Sequence, residues 1–509
     1  MFRNGAVPTL CILLLSACGT TMPMAALPQA VDPAWLTEAG PDVVPQQSDW
    51  WRAFGDPTLD ALVVRAVQDS PNLQSAAAKI AQAQGQMMST GASLGPQFAA
   101  AAGSNVVRIP PALAERIDRI DPTIYSANLG VQSSWELDFW GGARNAALGD
   151  AYAYLSAQQA YDAALVSLIG QLASAYIDYR TSQARLALAR NDAALRTQSL
   201  ALAEARHRHG LTDPSDPAQA RLALQQQEAT VAALVLDVEL GRHAIALLTG
   251  TTDAEIADIL IDPIPIPAAP SPPNPGVPHD LLRARPDVLQ AELVARSQYA
   301  RSNSAKANLY PSFSLSGSIG LSSNTIGESS LLDIFSWDER SVRGGLSIVL
   351  PLFQRDRIMG QVLVQDAGLE QAIQAYSQAV LAAQRDVADA LAQYTAARDT
   401  AEALGASTAE SERLVQLASD RYAQGGAARQ DILTAQLNDS AVQDALLQAR
   451  GNVAMAYVAL NRSLGLGARA PGMPTRMSAE TSQRMQARTR WGDRLDELDG
   501  SVSQNEGER

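Results

Sequence analysis

The sequence predicts a mainly α-helical protein carrying a transmembrane β-barrel that several copies of the chain must build together. Three observations carry that prediction. First, one unit is written twice: at an offset of 215 residues, the separation of Pro71 and Pro286, the residues Pro96, Phe98, Tyr179, Arg206, Gly210, Asp216, Ala220 and Gly250 recur as Pro311, Phe313, Tyr394, Arg421, Gly425, Asp431, Ala435 and Gly465. Second, each copy holds a long segment, 143 to 208 and 357 to 423, with no Pro and few Gly. At 1.5 Å per residue such a segment would form a rod of roughly 100 Å, which no globular domain needs. Third, "SFSLSGSIGL", residues 312 to 321, alternates with period two. Ser312, Ser314, Ser316 and Ser318 take one face, and Phe313, Leu315, Ile319 and Leu321 the other.

Composition agrees with thin helical packing rather than a thick core. The 509 residues are 47% hydrophobic yet only 5% aromatic, and Ala and Leu supply most of the apolar count. A formal net charge of −14 and no basic cluster exclude nucleic acid as a partner, because that affinity comes from Lys and Arg neutralising phosphates.

At the N-terminus, Arg3 precedes an apolar run from Leu10 to Leu15, too short to span a bilayer permanently. It ends in "LSAC", which resembles the bacterial lipobox. That resemblance implies a signal peptide at 1–17, cleavage before Cys18, and acyl chains such as palmitate on that residue. Cys11 would leave with the signal, so the mature chain would keep one Cys and no internal disulfide. Gly19 rather than Asp after the Cys implies transfer to the outer membrane.

A lipid-anchored segment is expected over 18–57, repeat 1 over 58–250, a Pro-rich connector over 251–280, repeat 2 over 281–465 and a polar tail over 466–509. Within each repeat a helix, 72 to 94 or 287 to 308, should end at Gly95-Pro96 or Tyr310-Pro311, because proline disfavours helix in the residue before it. A β-hairpin follows, about 96–138 and 311–350, with return strands at 128 to 138 and 342 to 350. In the first of these, Leu129, Val131, Trp135 and Leu137 oppose Asn128, Gln132, Ser134, Glu136 and Asp138. In the second, Val342, Leu346, Ile348 and Leu350 share a face.

The long helices come next. Leu165, Leu172, Tyr179 and Leu186 recur every seven residues, and Leu188, Leu195 and Leu202 resume that spacing after a shift, a coiled-coil seam. Each rod should turn near 210–216 or 425–431 and return to Gly250 or Gly465. Asp216 reads as the N-cap of the first return helix, with Pro217 at its first position.

A strand of about ten residues with an apolar and a small-polar face suits a barrel stave between lipid and water. Four strands cannot close a barrel, and unpaired backbone is too costly in hydrocarbon. Three chains would supply twelve strands, with the Ser face toward the lumen.

The pieces "WWRAFGDPTLDALV" (50 to 63), "SPNLQ" (70 to 74), "SWELDFWGGAR" (134 to 144), "LLRARPDVLQAE" (281 to 292), "YPSFSLSG" (310 to 317) and "LPLFQRDR" (350 to 357) together resemble the outer-membrane factors of TolC and NodT type. The resemblance covers nearly all of the mature chain. It implies a TolC-like trimer, a 12-stranded barrel continuous with a periplasmic α-helical barrel, and a passive exit duct for small molecules. Its partners would be a periplasmic adaptor (membrane fusion) protein, an inner-membrane RND-type or ABC pump, and outer-membrane lipid.

The same resemblance places Gly210, Leu211, Gly425 and Gly426 at adaptor-contacting tips and makes Asp216, Tyr422 and Asp431 candidates for the periplasmic aperture. It further implies a Tyr422 to Asp216 bond that holds a closed state. Thr434, where relatives often carry a second acid, departs from the pattern. Both Asp residues read equally as helix caps.

His207 and His209, two apart on a helix, point to different faces and read as a solvated end rather than a metal site. Arg283 and Arg285 before Pro286 read as ion-pairing residues of a collar. No nucleotide-binding loop or catalytic triad stands in the sequence, so an enzyme is the least supported class, and no cofactor beyond the lipid on Cys18 is expected. The alternatives are the outlet of a type I protein secretion system and a periplasmic coiled-coil lipoprotein tethering envelope layers.

Overall fold

A computed structural model describes residues 49–111, 121–260, 264–270, 285–325, 331–468 and 478–489. Cys18, the signal peptide, Arg283, most of the connector and most of the tail lie outside the described residues. The elements are α1 (Pro57–Asp69), α2 (Pro71–Ala92), β1 (Gln97–Arg108), β2 (Thr123–Glu136), α3 (Gly142–Arg208), α4 (Ser215–Thr249), α5 (Asp253–Ile259), α6 (Pro286–Ala307), β3 (Ser312–Asn324), β4 (Arg340–Val349), α7 (Arg355–Ala423), α8 (Arg429–Ser463) and α9 (Ala479–Arg488). The 215-residue repeat is visible as α2-β1-β2-α3-α4 followed by α6-β3-β4-α7-α8. The chain divides into two compact units, and α2, α3, α6 and α7 each contribute residues to both.

The first unit contains residues 82–156 and 291–375. Its sheet has the antiparallel order β1-β2-β3-β4. The passage from β2 into α3 is made by "DFWGGAR". The Asp138 carboxylate accepts hydrogen bonds from the Ala143 and Arg144 amides at 3.1 and 2.8 Å, satisfying donors that a helix start leaves open. The indole of Trp140 donates to the Pro311 carbonyl at 2.8 Å and stacks on Tyr310, while Phe139 meets Phe313 edge-on. These contacts tie the start of one repeat's helix to the start of the other's hairpin. Asp150 binds α2, α3 and α6 together, accepting from Thr90 at 2.6 Å and pairing with Arg301 at 3.2 Å.

The second unit contains residues 49–81, 157–290 and 376 onward among those described. Trp50, Trp51, Phe54 and Tyr457 form a buried aromatic group of this unit, and Leu59, Leu62, Val63 and Ile245 are buried in the same unit. Asp56 caps α1 by accepting from the Thr58 and Leu59 amides, with Pro57 at the first helical position. Its other oxygen accepts the Tyr176 hydroxyl at 2.6 Å, and that hydroxyl accepts from the Nε of fully buried Arg180 at 3.1 Å.

The heptad residues Leu165, Leu172, Tyr179 and Leu186 are all buried. Leu188, Leu195 and Leu202 are only half-buried. Gly241 and Gly451 let α4 and α8 approach α3 closely, since a Cβ on Gly241 would lie 3.2 Å from the Cβ of Tyr179 and one on Gly451 would meet the Thr181 side chain.

The repeat reaches single contacts. Gly250 (φ +68°) and Gly465 (φ +73°) end α4 and its counterpart α8 in the left-handed region. A Cβ on either would lie 3.2 or 3.1 Å from the Cδ of Pro71 or Pro286, the residue that opens the first helix of the same repeat.

Candidate channel wall and helical turns

Directly paired residues of an antiparallel sheet share a face, so the register assigns every side chain. Ser318 pairs with Gln132 and Arg343, Ser316 with Ser134 and Gly345, Ser314 with Glu136 and Ser347, and Ser312 with Val349. Gln97 and Asn128 belong to the same face. The serine series therefore continues across all four strands as a surface mainly of Ser, Gln, Asn, Gly and Ala, with Glu136, Arg343 and Val349 among them. A concavity of about 790 Å³ opens there, bordered in part by Gln132, Ser134, Ser316, Ser318 and Arg343. Gly130 and Gly320 face each other across β2 and β3, where a Cβ on Gly130 would fall 2.6 Å from the Ile319 carbonyl oxygen.

The opposite face carries Phe98, Val106, Tyr125, Leu129, Val131, Leu315, Ile319, Val342, Leu346 and Ile348, all exposed, Phe98 by 73% and Val342 by 74%. A soluble monomer rarely leaves so large an apolar patch uncovered. Exposed apolar residues border it at both ends: Phe139, Tyr310, Leu352 and Phe353 near the helices, and Leu332, Phe335 and Trp337 between β3 and β4. An apolar band edged by aromatic side chains is the pattern of a membrane-spanning sheet.

Strand limits differ modestly from expectation. The return strands run 123–136 and 340–349 instead of 128–138 and 342–350, because pairing with β1 and β3 extends each toward its hairpin loop and Asp138 is taken up as the cap of α3. Arg343, on the serine face, was not singled out from the sequence. Its parity opposite Val342, Leu346 and Ile348 was the signal that could have found it.

The two helical turns, both in the second unit, repeat bond for bond. Gly210 donates to the His207 carbonyl and Leu211 to Arg206, as Gly425 does to Tyr422 and Gly426 to Arg421. Gly210 and Gly425 have φ of +71° and +75°, a left-handed stop that favours glycine. Leu211 is 70% exposed.

The turns differ in their acids. Asp216 is not the N-cap of α4: the helix starts one residue earlier, at Ser215, and the Asp213 carboxylate accepts the Ser215 amide at 2.9 Å. The sequence offers two Asp-Pro steps and the chain uses the first, leaving Pro217 in the first turn, where a missing N–H costs nothing. Those bonds hold the Asp213 carboxyl below its usual range. Asp431 does cap its helix, accepting the Ala428 amide at 2.7 Å. Asp216 and Tyr422 are exposed, and among the described residues neither side chain forms a hydrogen bond. Thr434 bonds back to the Gln430 carbonyl at 2.9 Å.

The ring of His207 meets the Thr212 carbonyl at 3.0 Å and so fastens the turn. Arg285 is buried, pairs with Asp287 at 2.7 Å and Asp386 at 3.6 Å, and donates to the Ser463 carbonyl at 2.6 Å. It thus joins the start of α6 to α7 and to the end of α8, the ion-pairing role its motif suggested.

Against known proteins, the family model described as outer membrane efflux protein matches residues 62–251 and again 277–466, the same 215-residue offset. The pyoverdine export outer membrane protein OpmQ of Pseudomonas aeruginosa is 27% identical over 470 residues, covering 89% of this chain and 95% of the relative. The probable outer membrane lipoprotein SilC of Salmonella typhimurium is 25% identical, covering 92% and 99%. Among solved structures, the outer-membrane channel OprN superposes with a TM-score of 0.78 at 27% identity, over 88% of this chain and 99% of that one.

Proposed function

The chain belongs to the outer membrane efflux protein family, and from that premise we infer which surface of its sheet meets lipid, which meets cargo, and which residues govern the exit path. It is an outer-membrane channel subunit of an efflux system with a TolC-like fold. Channels of this kind work as trimers with an adaptor and an inner-membrane pump. The exposed apolar face of β1-β4 is the lipid surface, and the serine face lines the lumen. The observation that carries this reading is the register, which sorts the side chains of four strands from two distant sequence segments onto one apolar and one small-polar face. Predominantly short, uncharged lumen side chains, with Glu136 and Arg343 as the charged exceptions, suit a conduit that passes solutes without holding them.

We further propose that Cys18 carries the lipid anchor and that cargo is small molecules chosen by the pump. At the turns around Gly210 and Gly425, Asp216 is the acid available for a cross-bond to Tyr422, whereas Asp431 is occupied as a cap. Leu211 offers the adaptor an apolar contact.

The test is the native mass of the detergent-extracted protein together with single-channel recording after reconstitution. A trimer is expected whose conductance rises in Tyr422→Phe and in Asp216→Ala. A conducting trimer unchanged by both substitutions would remove the aperture assignment, and a monomer without conductance would remove the channel itself.

A further inference from the structure

Two cations stand on the wrong face of the sheet. Arg108 ends β1 and Arg340 begins β4. Arg340 pairs with Leu321, which pairs with Leu129, and Arg108 has the parity of Val106, Ala102 and Phe98, so both belong to the apolar face. Both are exposed. Among the described residues neither has an ion-pair partner. Arg340 donates to the Trp337 carbonyl at 3.3 Å and lies over the Trp337 ring at 5.3 Å, which orients the guanidinium without neutralising it.

Both lie at the hairpin end of the sheet, beside the segment 331–339, which packs against β2 and β3 through buried Ile334. From that segment Leu332, Phe335 and Trp337 project with 77%, 77% and 76% of their surface exposed. Tyr125, half-exposed, stands on the same face. Large apolar and aromatic side chains next to guanidiniums that have no ion-pair partner among the described side chains fit the depth where acyl chains give way to headgroups.

Topology brings the two arginines together across copies. In the order β1-β2-β3-β4 only β1 and β4 keep open edges. Closing a barrel therefore sets β4 of one copy beside β1 of the next, about 4.8 Å away. The hairpin ends are also staggered: Arg108 and Thr123 end level as partners, Thr123 lies three residues beyond Ser126, the partner of Asn324, and Asn324 lies three beyond Leu321, the partner of Arg340. That stagger is the shear of a tilted sheet, and it keeps the ends of all strands at one rim. Arg340 and the Arg108 of the neighbouring copy thus flank each seam.

We propose that each seam of the trimer binds the phosphate of an anionic outer-leaflet lipid between Arg340 and the neighbouring copy's Arg108, with Trp337 and Tyr125 against the lipid's glycerol and upper acyl region. The chemistry selects a phosphate, because two guanidiniums on a low-dielectric face need a counter-anion and their donors match phosphate oxygens in pairs. A site shared by two copies gives the lipid a second role, as a bridge that favours the closed ring. The inference rests on the channel reading above, in which the apolar face meets lipid.

The test uses the full-length trimer in nanodiscs of equal phosphatidylglycerol and phosphatidylcholine, with retained lipid identified by native mass spectrometry after transfer to detergent. The wild type should retain phosphatidylglycerol over phosphatidylcholine about tenfold, the scale of one charge-assisted hydrogen bond. In the double variant Arg108→Gln with Arg340→Gln that preference should vanish while conductance persists, and Arg108→Lys with Arg340→Lys should restore part of it. Unchanged preference in the Gln variant overturns the site. Complete displacement of the lipid by millimolar inorganic phosphate would show a free-anion site and overturns it equally. Loss of the trimer in both Gln and Lys variants would show a purely structural seam. A wild type that neither trimerises nor conducts would remove the channel reading beneath the inference, whereas a conducting trimer without lipid preference sinks the inference alone.

Discussion

Replacing Asp56 by Ala tests how the start of α1 is held against Tyr176 in the second unit. One carboxylate oxygen caps α1 through the Thr58 and Leu59 amides at 2.9 and 3.3 Å, and the other accepts the Tyr176 hydroxyl at 2.6 Å. Loss of the cap costs about 1 kcal/mol. The buried Tyr176 hydroxyl loses its acceptor, and a stranded buried donor costs about 1–3 kcal/mol more. Burial, and after it the bond to Asp56, hold the Tyr176 pKa well above the usual tyrosine range, so the hydroxyl keeps its proton and cannot escape by ionising. The sum is about 2–4 kcal/mol per chain, a fall of about 4–8 °C in a unit of this size. Because large multi-chain proteins commonly unfold irreversibly, the readout is the loss of helical circular dichroism at one fixed scan rate. Asp56→Asn keeps an oxygen for the amides and should lose less than half as much. An Ala variant that melts with the wild type, or an Asn variant as damaged as Ala, would refute the reasoning.

Gly250→Ala should reduce the yield of folded trimer sharply, because its Cβ would lie 2.5 Å from the Asp69 carbonyl oxygen at φ +68°. Gly55→Ala, at a similar φ of +66° but with nothing within 4 Å, should cost only the left-handed strain of about 1–2 kcal/mol; equal damage by melting would contradict the steric account. Arg343→Ser removes three guanidiniums from the lumen, so reversal potentials across a salt gradient should shift toward cations. The shift should grow as salt falls and the Debye length lengthens from about 3 Å to about 30 Å, and no shift at any salt would mean that Arg343 does not face the conducting path. In Asp192, burial foremost raises the carboxyl pKa above 3.8, against the lowering influence of Ser440 and Arg196 and with Asp444 adding to the rise. Ionised Asp192 therefore costs stability at neutral pH, and the cost disappears as pH falls through the folded pKa. Asp192→Asn should raise the melting temperature at pH 7, the gain shrinking toward zero below about pH 3.8, and a gain independent of pH would point to packing instead.

The sequence alone determined the parts whose signals are local or repeated. Proline and glycine placed the ends of α2, α6, α4 and α8, because one lacks a donor and the other tolerates the left-handed turn. Period-two alternation divided each strand into two faces, and the repeat at 215 residues turned one weak pattern into two matching ones. What the sequence could not decide were choices between equivalent local options. Asp213 and Asp216 each precede a proline, and only the folded turn shows that the first accepts the amide of Ser215, where the helix begins, and that the second stays exposed. Strand order and register depend on pairings between residues far apart in the chain, such as Gln132 with Ser318, so alternation within β4 can set Arg343 apart from Arg340 but only the pairing shows that Arg343 joins the serine series of β3 while Arg340 joins the face of Leu321 and Leu129. Those assignments arise from cross-strand hydrogen bonding, whose energy is realised only when both segments are in place.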